Sequence, residues 1–421
     1  MTDFQAIDLQ LTDPQTFAGE DYHEIFTTLR REDPVHWTTG NYSRGFWSVT
    51  RHEDVLDMLD QPEVFSSSAG THLPPDGRDL SEEERYRLGY DVQLVTSDPP
   101  IHNTKRRPFN KHFSVPAVKR FHDDCDRIVD AILDDAEAKG EVDLVKDIAA
   151  LLPVNLFLNL MGVPEEDWEH LRGITITMLH PQDAEYLEDG VDPTQAIIQA
   201  SDALYKYAYE HTMKRRGYED QYDDFASLIA NLKVEGEYLD ERDAAWMSFS
   251  VIAGGLETTR NAAAVGILEL MRNPDQAALL QDDKIAKNAV EEIIRWVTPS
   301  KNRLRVAMQD TTLGGKEIKK GDWVVGWGVS ANRDEEVFEN PQTFNILREH
   351  NPHLGFGDGE HLCLGRNVAR LELQVLIQRL FARFPDVAPI SEAEWVASDN
   401  TTGLKRLQIR VQPKIPSVVG S

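Results

Sequence analysis

The chain has 421 residues, 41% of them apolar and 28% charged, with a net charge of −28. Those proportions fit a soluble globular protein with a full-sized core. The charge excludes nucleic acid and anionic membrane surfaces as natural partners, since both attract the opposite sign. Two cysteines, Cys125 and Cys363, lie far apart; they give no disulfide framework and suit a reducing cytoplasm. The first residues carry acids and no apolar run, and the most apolar internal stretches, 149–163 and 244–271, contain Pro, Asn, Glu or Arg. No leader and no membrane span is expected, and the expected location is cytoplasmic.

In chain order, turns and a helix over 23–30 come first. Val35-His-Trp-Thr and Gly45-Phe-Trp-Ser-Val-Thr, separated by Gly40-Asn-Tyr-Ser-Arg, predict a β-hairpin. A helix follows over 52–59. Residues 64–96 are Ser-, Gly- and Pro-rich, then charged, and predict a long pocket-covering loop with a short helix inside. Ser97-Asp-Pro-Pro opens another helix, with Pro near its first turn. Helical patterns fill 117–139, 142–162, 165–178 and 194–216. The longest helical candidate, 240–272, has an acidic first turn and Pro274 just beyond its end. It is apolar on most faces and is expected to be buried. After a helix over 284–297 come short strands, the cysteine stretch with its own helix, and a strand near 405–411. The expected fold class is mainly α with small β-sheets (α+β), in a single domain. It has a small β-rich part at about 30–60 and a helical core over about 97–380.

The stretch from His353 to Gly365 holds Cys363 between glycines on a loop that leads straight into an apolar-patterned helix. The free N–H groups and partial positive charge of a helix start favour a thiolate there. Such a thiolate is a metal ligand, a nucleophile or a redox thiol. Cys125, in a charged helix without glycines, reads as a small buried apolar residue.

Within the buried helix, Gly254-Gly255 costs about 1 kcal/mol per Gly relative to Ala. Glu257 lies where charge is expensive unless paired or used, and Thr258 can bond a preceding carbonyl. A carboxylate beside a hydroxyl at a groove outlines a proton relay; a packing notch with a satisfied Glu is the plain alternative. Glu292 and Arg295 sit one turn apart on one helix face. His102 and Arg106 are likewise one turn apart. Lys301, Arg303 and Arg305 alternate along an extended segment and so share a face. With His353, these basic groups could clamp a dicarboxylate.

Taken together, these stretches resemble the cytochrome P450 haem-thiolate monooxygenases, from about residue 20 to the end of the chain. Phe356-Gly-Asp-Gly-Glu-His-Leu-Cys-Leu-Gly365 resembles that family's haem-binding signature, Ala253-Gly-Gly-Leu-Glu-Thr-Thr259 its oxygen-activating groove, and Glu292-Ile-Ile-Arg295 with Arg348 its internal ion-pair cluster. The resemblance implies haem b with Cys363 as axial ligand and Phe356, Gly357 and Gly365 at the cofactor. His102, Arg106, Arg305 and His353 become the expected propionate partners. Thr258 and Glu257 become the catalytic pair. It further implies a P450 fold, with haem between the long helix and the cysteine helix, and hydroxylation of a small hydrophobic substrate. Electrons would come from an external ferredoxin and ferredoxin reductase, because no flavin or iron–sulfur motif is present. Lys105, Arg107 and Lys111 are the expected docking patch for that partner. Ser250, Ala253, Gly254, Lys301, Arg303, Thr401 and Thr402 are the expected substrate contacts. Arg303 stands where many relatives carry an apolar residue, which suggests a substrate with an anionic group or else a further propionate contact. A peroxide-driven enzyme and a non-catalytic gas sensor are the rival functions.

Overall fold

The computed structural model describes residues 2–187, 189–234 and 236–412. Its longest element is the helix Glu241–Arg272, and the side chain of Asp240 accepts from the Arg242 N–H to cap it. Nearly every side chain from Ala244 to Leu270 is buried. Helices Leu151–Leu160, Trp168–Leu179, Pro193–Met213, Asp283–Val297 and Arg366–Arg383 all pack against it. This packing explains an apolar pattern that wraps the helix rather than striping it.

The predicted hairpin forms, with Val35–Thr38 antiparallel to Phe46–Val49. It does not stand as a separate N-terminal unit. Trp323–Trp327 adds to it in parallel, Asn302–Ala307 pairs beyond, and Phe65–Ser66 closes the edge of one five-stranded sheet. The sheet thereby carries Arg303 and Arg305 to one side of the helical core.

The stretch 142–162 departs from its single-helix reading. Glu141–Asp143 is a strand paired antiparallel to Gln408–Arg410. A wide helical turn, Leu144–Ala149, follows before the helix Leu151–Leu160. Asp143 starts that turn by accepting from the N–H groups of Val145 and Lys146 at 2.8 and 3.0 Å. The strand owes its existence to a partner at the far end of the chain, which local periodicity does not report. The long helix expected over 117–139 likewise begins only at His122, after the short turns Val115–Val118 and Lys119–Phe121. Among the described residues, no helix is long and apolar enough to cross a membrane.

Candidate active site

A cavity of about 490 Å³ separates the long helix from the cysteine loop. Its floor is the run Gly355–Gly365. The Cys363 N–H donates to the Phe356 carbonyl at 2.9 Å, and the Gly357 N–H to the Leu354 carbonyl at 2.9 Å, folding the loop back on itself. Gly357 and Gly359 have φ of +71° and +63°, a backbone conformation that favours glycine. A Cβ on Gly359 would lie 2.8 Å from the Leu59 carbonyl oxygen. Cys363, Phe356, Gly357 and Gly365 all line the cavity. Burial pushes the Cys363 thiol up. The Gly365 N–H and the guanidiniums of Arg303, Arg106 and Arg366 pull it the other way. Cys125 is fully buried elsewhere, and its thiol is pushed far up by burial.

The opposite wall is the long helix, where the two central glycines do different things. A Cβ on Gly255 would press within 2.6 Å of the Phe157 ring, so this residue serves helix–helix approach. Gly254 has nothing within 4 Å and opens on the cavity. Thr258 Oγ1 donates to the Gly254 carbonyl at 3.1 Å and also faces the cavity. Ser250 and Ala253 line it one turn earlier.

Glu257 points away from the cavity, behind this wall. Its Oε2 lies 3.1 Å from Arg260 Nε and 3.3 Å from His180 Nε2. Burial alone would raise its pKa, but Arg260 and His180 together hold the carboxyl below its usual range, so it is ionised. The other ring nitrogen of His180, Nδ1, lies 3.0 Å from Thr401 Oγ1, and Thr401 lines the cavity. A hydroxyl–imidazole–carboxylate chain therefore runs from the cavity to Glu257. His180 was not legible in the sequence, because it follows a helix with no motif around it.

At one edge of the cavity stand His102, Arg106, Arg303, Arg305, His361 and His72. The His102 and His361 rings are 4.3 Å apart. Burial, Arg305, His102 and Arg106 push His361 down to about 3. His353 is not part of this group. Its Nε2 lies 3.1 Å from a Glu291 oxygen, and Arg370 holds the same carboxylate at 2.6 and 2.8 Å. The glycine-rich loop turns between His353 and His361, and it is His361 that reaches the cavity. Alternation also misplaced Lys301. The regular strand begins at Asn302, and Lys301 turns inward, donating to the Ser398 carbonyl at 2.9 Å and to that of Thr401. Thr402 also faces away from the cavity, its hydroxyl donating to the Thr298 carbonyl at 3.2 Å.

Two groups lie outside the cavity. Glu292 receives Arg295 at 2.7 and 2.8 Å and Arg348 at 3.1 Å, all three buried. Lys105, expected on a docking patch, is instead occupied by Asp243 at 2.7 Å and the Val92 carbonyl at 2.8 Å. Arg107 and Lys111 are exposed.

The profile of the family described as "Cytochrome P450" matches residues 186–413. A Mycobacterium tuberculosis protein numbered cytochrome P450 126 is 35% identical over 96% of this chain and 97% of its own length. The steroid C26-monooxygenase of Mycolicibacterium smegmatis is 33% identical over 92% of this chain and 90% of its own. The structure of Mycobacterium marinum cytochrome P450 CYP268A2 in complex with pseudoionone superposes with a TM-score of 0.85 at 28% identity, covering 94% of this chain and 97% of that one. The chain belongs to the cytochrome P450 family. It is a bacterial-type P450 monooxygenase, and its cofactor is haem b with an axial cysteine thiolate.

The residues of this P450 fit that group. Of its cysteines only Cys363 lines the cavity. Gly254 and Gly365, on facing walls, would each admit a Cβ without contact and so leave room for a flat macrocycle. Among the described residues, Arg106, Arg303 and Arg305 form no ion pair and the buried Nε2 of His102 has no partner. Such donors suit carboxylates brought by a cofactor.

Proposed function

We propose that this P450 hydroxylates a mid-sized hydrophobic small molecule, using electrons from an external ferredoxin and ferredoxin reductase. The observation that carries the reading is the facing of Cys363 and the Gly254–Thr258 wall across one cavity. Cys363 would hold the haem iron through its thiolate, and His102, Arg106, Arg305 and His361 would hold the haem carboxylates. The bound haem supplies oxygen activation, which a thiolate ligand favours.

The chain's own residues control protons and access. Thr258 holds a hydroxyl at the groove, its bond to the Gly254 carbonyl long enough at 3.1 Å to be exchanged for another acceptor. Burial keeps His180 neutral. In the tautomer that satisfies both contacts, Nε2–H donates to Glu257 and Nδ1 accepts the Thr401 O–H. In this state the bonds run from the Thr401 O–H to the ionised Glu257. Once Glu257 takes up a proton and the ring adopts the other tautomer, the Glu257 O–H donates to Nε2 and Nδ1–H donates to Thr401, so a proton can pass through His180 toward the cavity. The acid–alcohol pair favours the oxygen-driven reading over a peroxide-driven one, which has no need of a proton route. Apolar side chains such as Leu73, Leu88, Leu94, Met178, Leu179 and Phe249 line the remaining space and suit a hydrophobic substrate. The relatives named for a steroid activity and for a pseudoionone complex support the same substrate class. Arg107 and Lys111, joined by the exposed Lys119 and Arg120, offer positive charge to an acidic ferredoxin.

The absorption spectrum of reduced, carbon monoxide-exposed holoprotein tests the thiolate assignment. Cys363→Ser should lose the strongly red-shifted Soret band, and a band unchanged by that substitution would move the ligand elsewhere. Thr258→Ala should keep the spectrum yet divert electrons to peroxide, lowering product per electron pair by about tenfold or more. Unchanged coupling would remove the relay role.

A further inference from the structure

We propose that Arg303, Ser300 and His72 form an anion subsite of the cavity, beside Thr401, built to take the carboxylate of an otherwise hydrophobic acid. The proposal deepens the monooxygenase reading and rests on it.

The charges at the cavity exceed what haem b can answer. Arg106, Arg303 and Arg305 all line the cavity and none is ion-paired among the described residues, while haem b brings two carboxylates. Arg106 belongs with His102 and His361, and Arg305 stands between that set and Arg303. Arg106 donates to the Leu362 carbonyl in the cysteine loop, the two imidazoles are in ring contact, and Arg106 and Arg305 both act on His361. With Arg305, that set provides two guanidiniums and two imidazoles for two carboxylates. Arg303 is left over.

Arg303 is also held in a different direction. Its Nη1 donates to Ser300 Oγ, to the Asn302 carbonyl at 2.7 Å and to the Ser300 carbonyl at 3.3 Å. Ser300 Oγ lies 2.8 Å from His72 Nε2, and His72 Nδ1 lies 3.0 Å from Thr71 Oγ1. The Ser300 backbone bridges to Thr401, the residue at the cavity end of the His180 chain. One nitrogen of the guanidinium is thus fixed by the protein. Nε and Nη2 have no acceptor among the described residues and are not sealed off, since Arg303 keeps accessible surface where it lines the cavity. These two donors form the side-on fork that receives both oxygens of a carboxylate. A guanidinium so far from bulk water, with no carboxylate beside it and only Cys363 as an opposing group, is costly unless its ligand supplies a counter-ion. Apolar lining around the fork sets the rest of the ligand: a fatty, terpenoid or similar acid whose carbon skeleton fills the cavity.

The test is a titration of purified holoenzyme, following the substrate-induced shift of the Soret band. Matched pairs serve as probes: dodecanoic acid with methyl dodecanoate, and geranic acid with methyl geranate. At least one acid should bind tenfold or more tighter than its ester. Arg303→Gln should abolish that preference at unchanged haem content, Arg303→Lys should keep part of it, and His72→Asn should weaken it. Equal dissociation constants for acid and ester, or no shift with either acid, would overturn the proposal. So would an Arg303→Gln protein that releases haem and keeps the acid preference, since Arg303 would then serve a haem carboxylate. Absence of the red-shifted carbon monoxide band in the starting holoenzyme is a separate result. It would remove the P450 reading itself.

Discussion

Two arginine clusters in the molecule are treated in opposite ways. Beside the helix Asp283–Val297, Arg295 and Arg348 converge on Glu292. The remaining oxygen capacity of that carboxylate is taken by the Asn345 N–H at 2.8 Å and Asn351 Nδ2 at 3.2 Å. Arg295 and Arg348 spend their other donors on the carbonyls of Asn332, Pro341, Glu339 and Thr343. Every charge there is answered from within the chain. At the cavity edge Arg106, Arg303 and Arg305 have no acid partner among the described residues, and neighbouring imidazoles keep low pKa values, with His72 and His361 both at about 3. The first cluster pins the 332–351 segment to its helix, and the second is a set of positive groups that the described residues leave without a counter-charge. Between these two clusters arginine carries opposite meanings, and the presence of an internal carboxylate tells them apart.

That contrast can be broken or sharpened by substitution. Glu292→Ala leaves two buried cations unanswered and should cost about 3–5 kcal/mol in denaturant unfolding of the holoprotein; a loss below about 1 kcal/mol would place the cluster's weight in its backbone bonds instead. Arg305→Leu should act with two signs. The haem-free protein should melt higher because a buried unpaired charge is gone, whereas haem transfer to a competing apoprotein should be about tenfold faster or more, for want of a charge-assisted bond. A lower apoprotein melting point would contradict the distinction. Glu291 is a smaller, pH-dependent case. Arg370 and His353 hold it at about 2 against the opposing effect of burial. Its folded pKa lies below the ordinary carboxylate value, so its stabilisation is complete above about pH 4.5 and is lost as pH falls toward about 2. An acid-unfolding profile of Glu291→Gln should be flatter than wild type in that window only. The smallest effect is expected at Lys105: Lys105→Ala should cost about 1 kcal/mol or less and leave the KM for a ferredoxin unchanged, whereas Arg107→Glu with Lys111→Glu should raise it.

Most of the helical framework was legible because each helix carries its own signals. The long helix shows Asp240, its acidic first turn and Pro274 in the sequence, and it forms from Glu241 to Arg272. The strand Glu141–Asp143 was not legible, since its partner Gln408–Arg410 is remote. The same limit applies at the site. Cys363, Gly254 and Thr258 lie in local patterns, and the structure places all three at the cavity. His72 and His180 were missed because each acquires its neighbours only by folding, and His361 was passed over within the very loop that was singled out. A histidine two residues before the cysteine, on a loop turned back by Gly357 and Gly359, was the signal available for it. Alternation gave Arg303 and Arg305 a common face correctly but was extended one step too far, to Lys301, which precedes the regular strand.

Lys301 has a consequence for how this enzyme can change. Together with the backbone of its own strand it holds the turn 398–402 at several points. Lys301 Nζ reaches the carbonyls of Ser398 and Thr401, the Lys301 N–H donates to the Asn400 carbonyl at 2.8 Å, Asn302 Nδ2 donates to the Asp399 carbonyl at 2.9 Å, and the Thr402 N–H donates to the Pro299 carbonyl at 3.1 Å. All of these grips fall on main-chain atoms. The side chains of Asn400 and Thr401, which face the cavity, add two further ties: Asn400 Oδ1 accepts from Asn302 Nδ2 at 3.1 Å, and Thr401 Oγ1 lies 3.0 Å from His180 Nδ1. The turn has a main-chain mount that tolerates a change of face, but its two faces carry work of their own. Exchanging Thr401 for a new substrate would also rewire the outlet of the His180 chain, and exchanging Asn400 would leave an Asn302 donor to be satisfied.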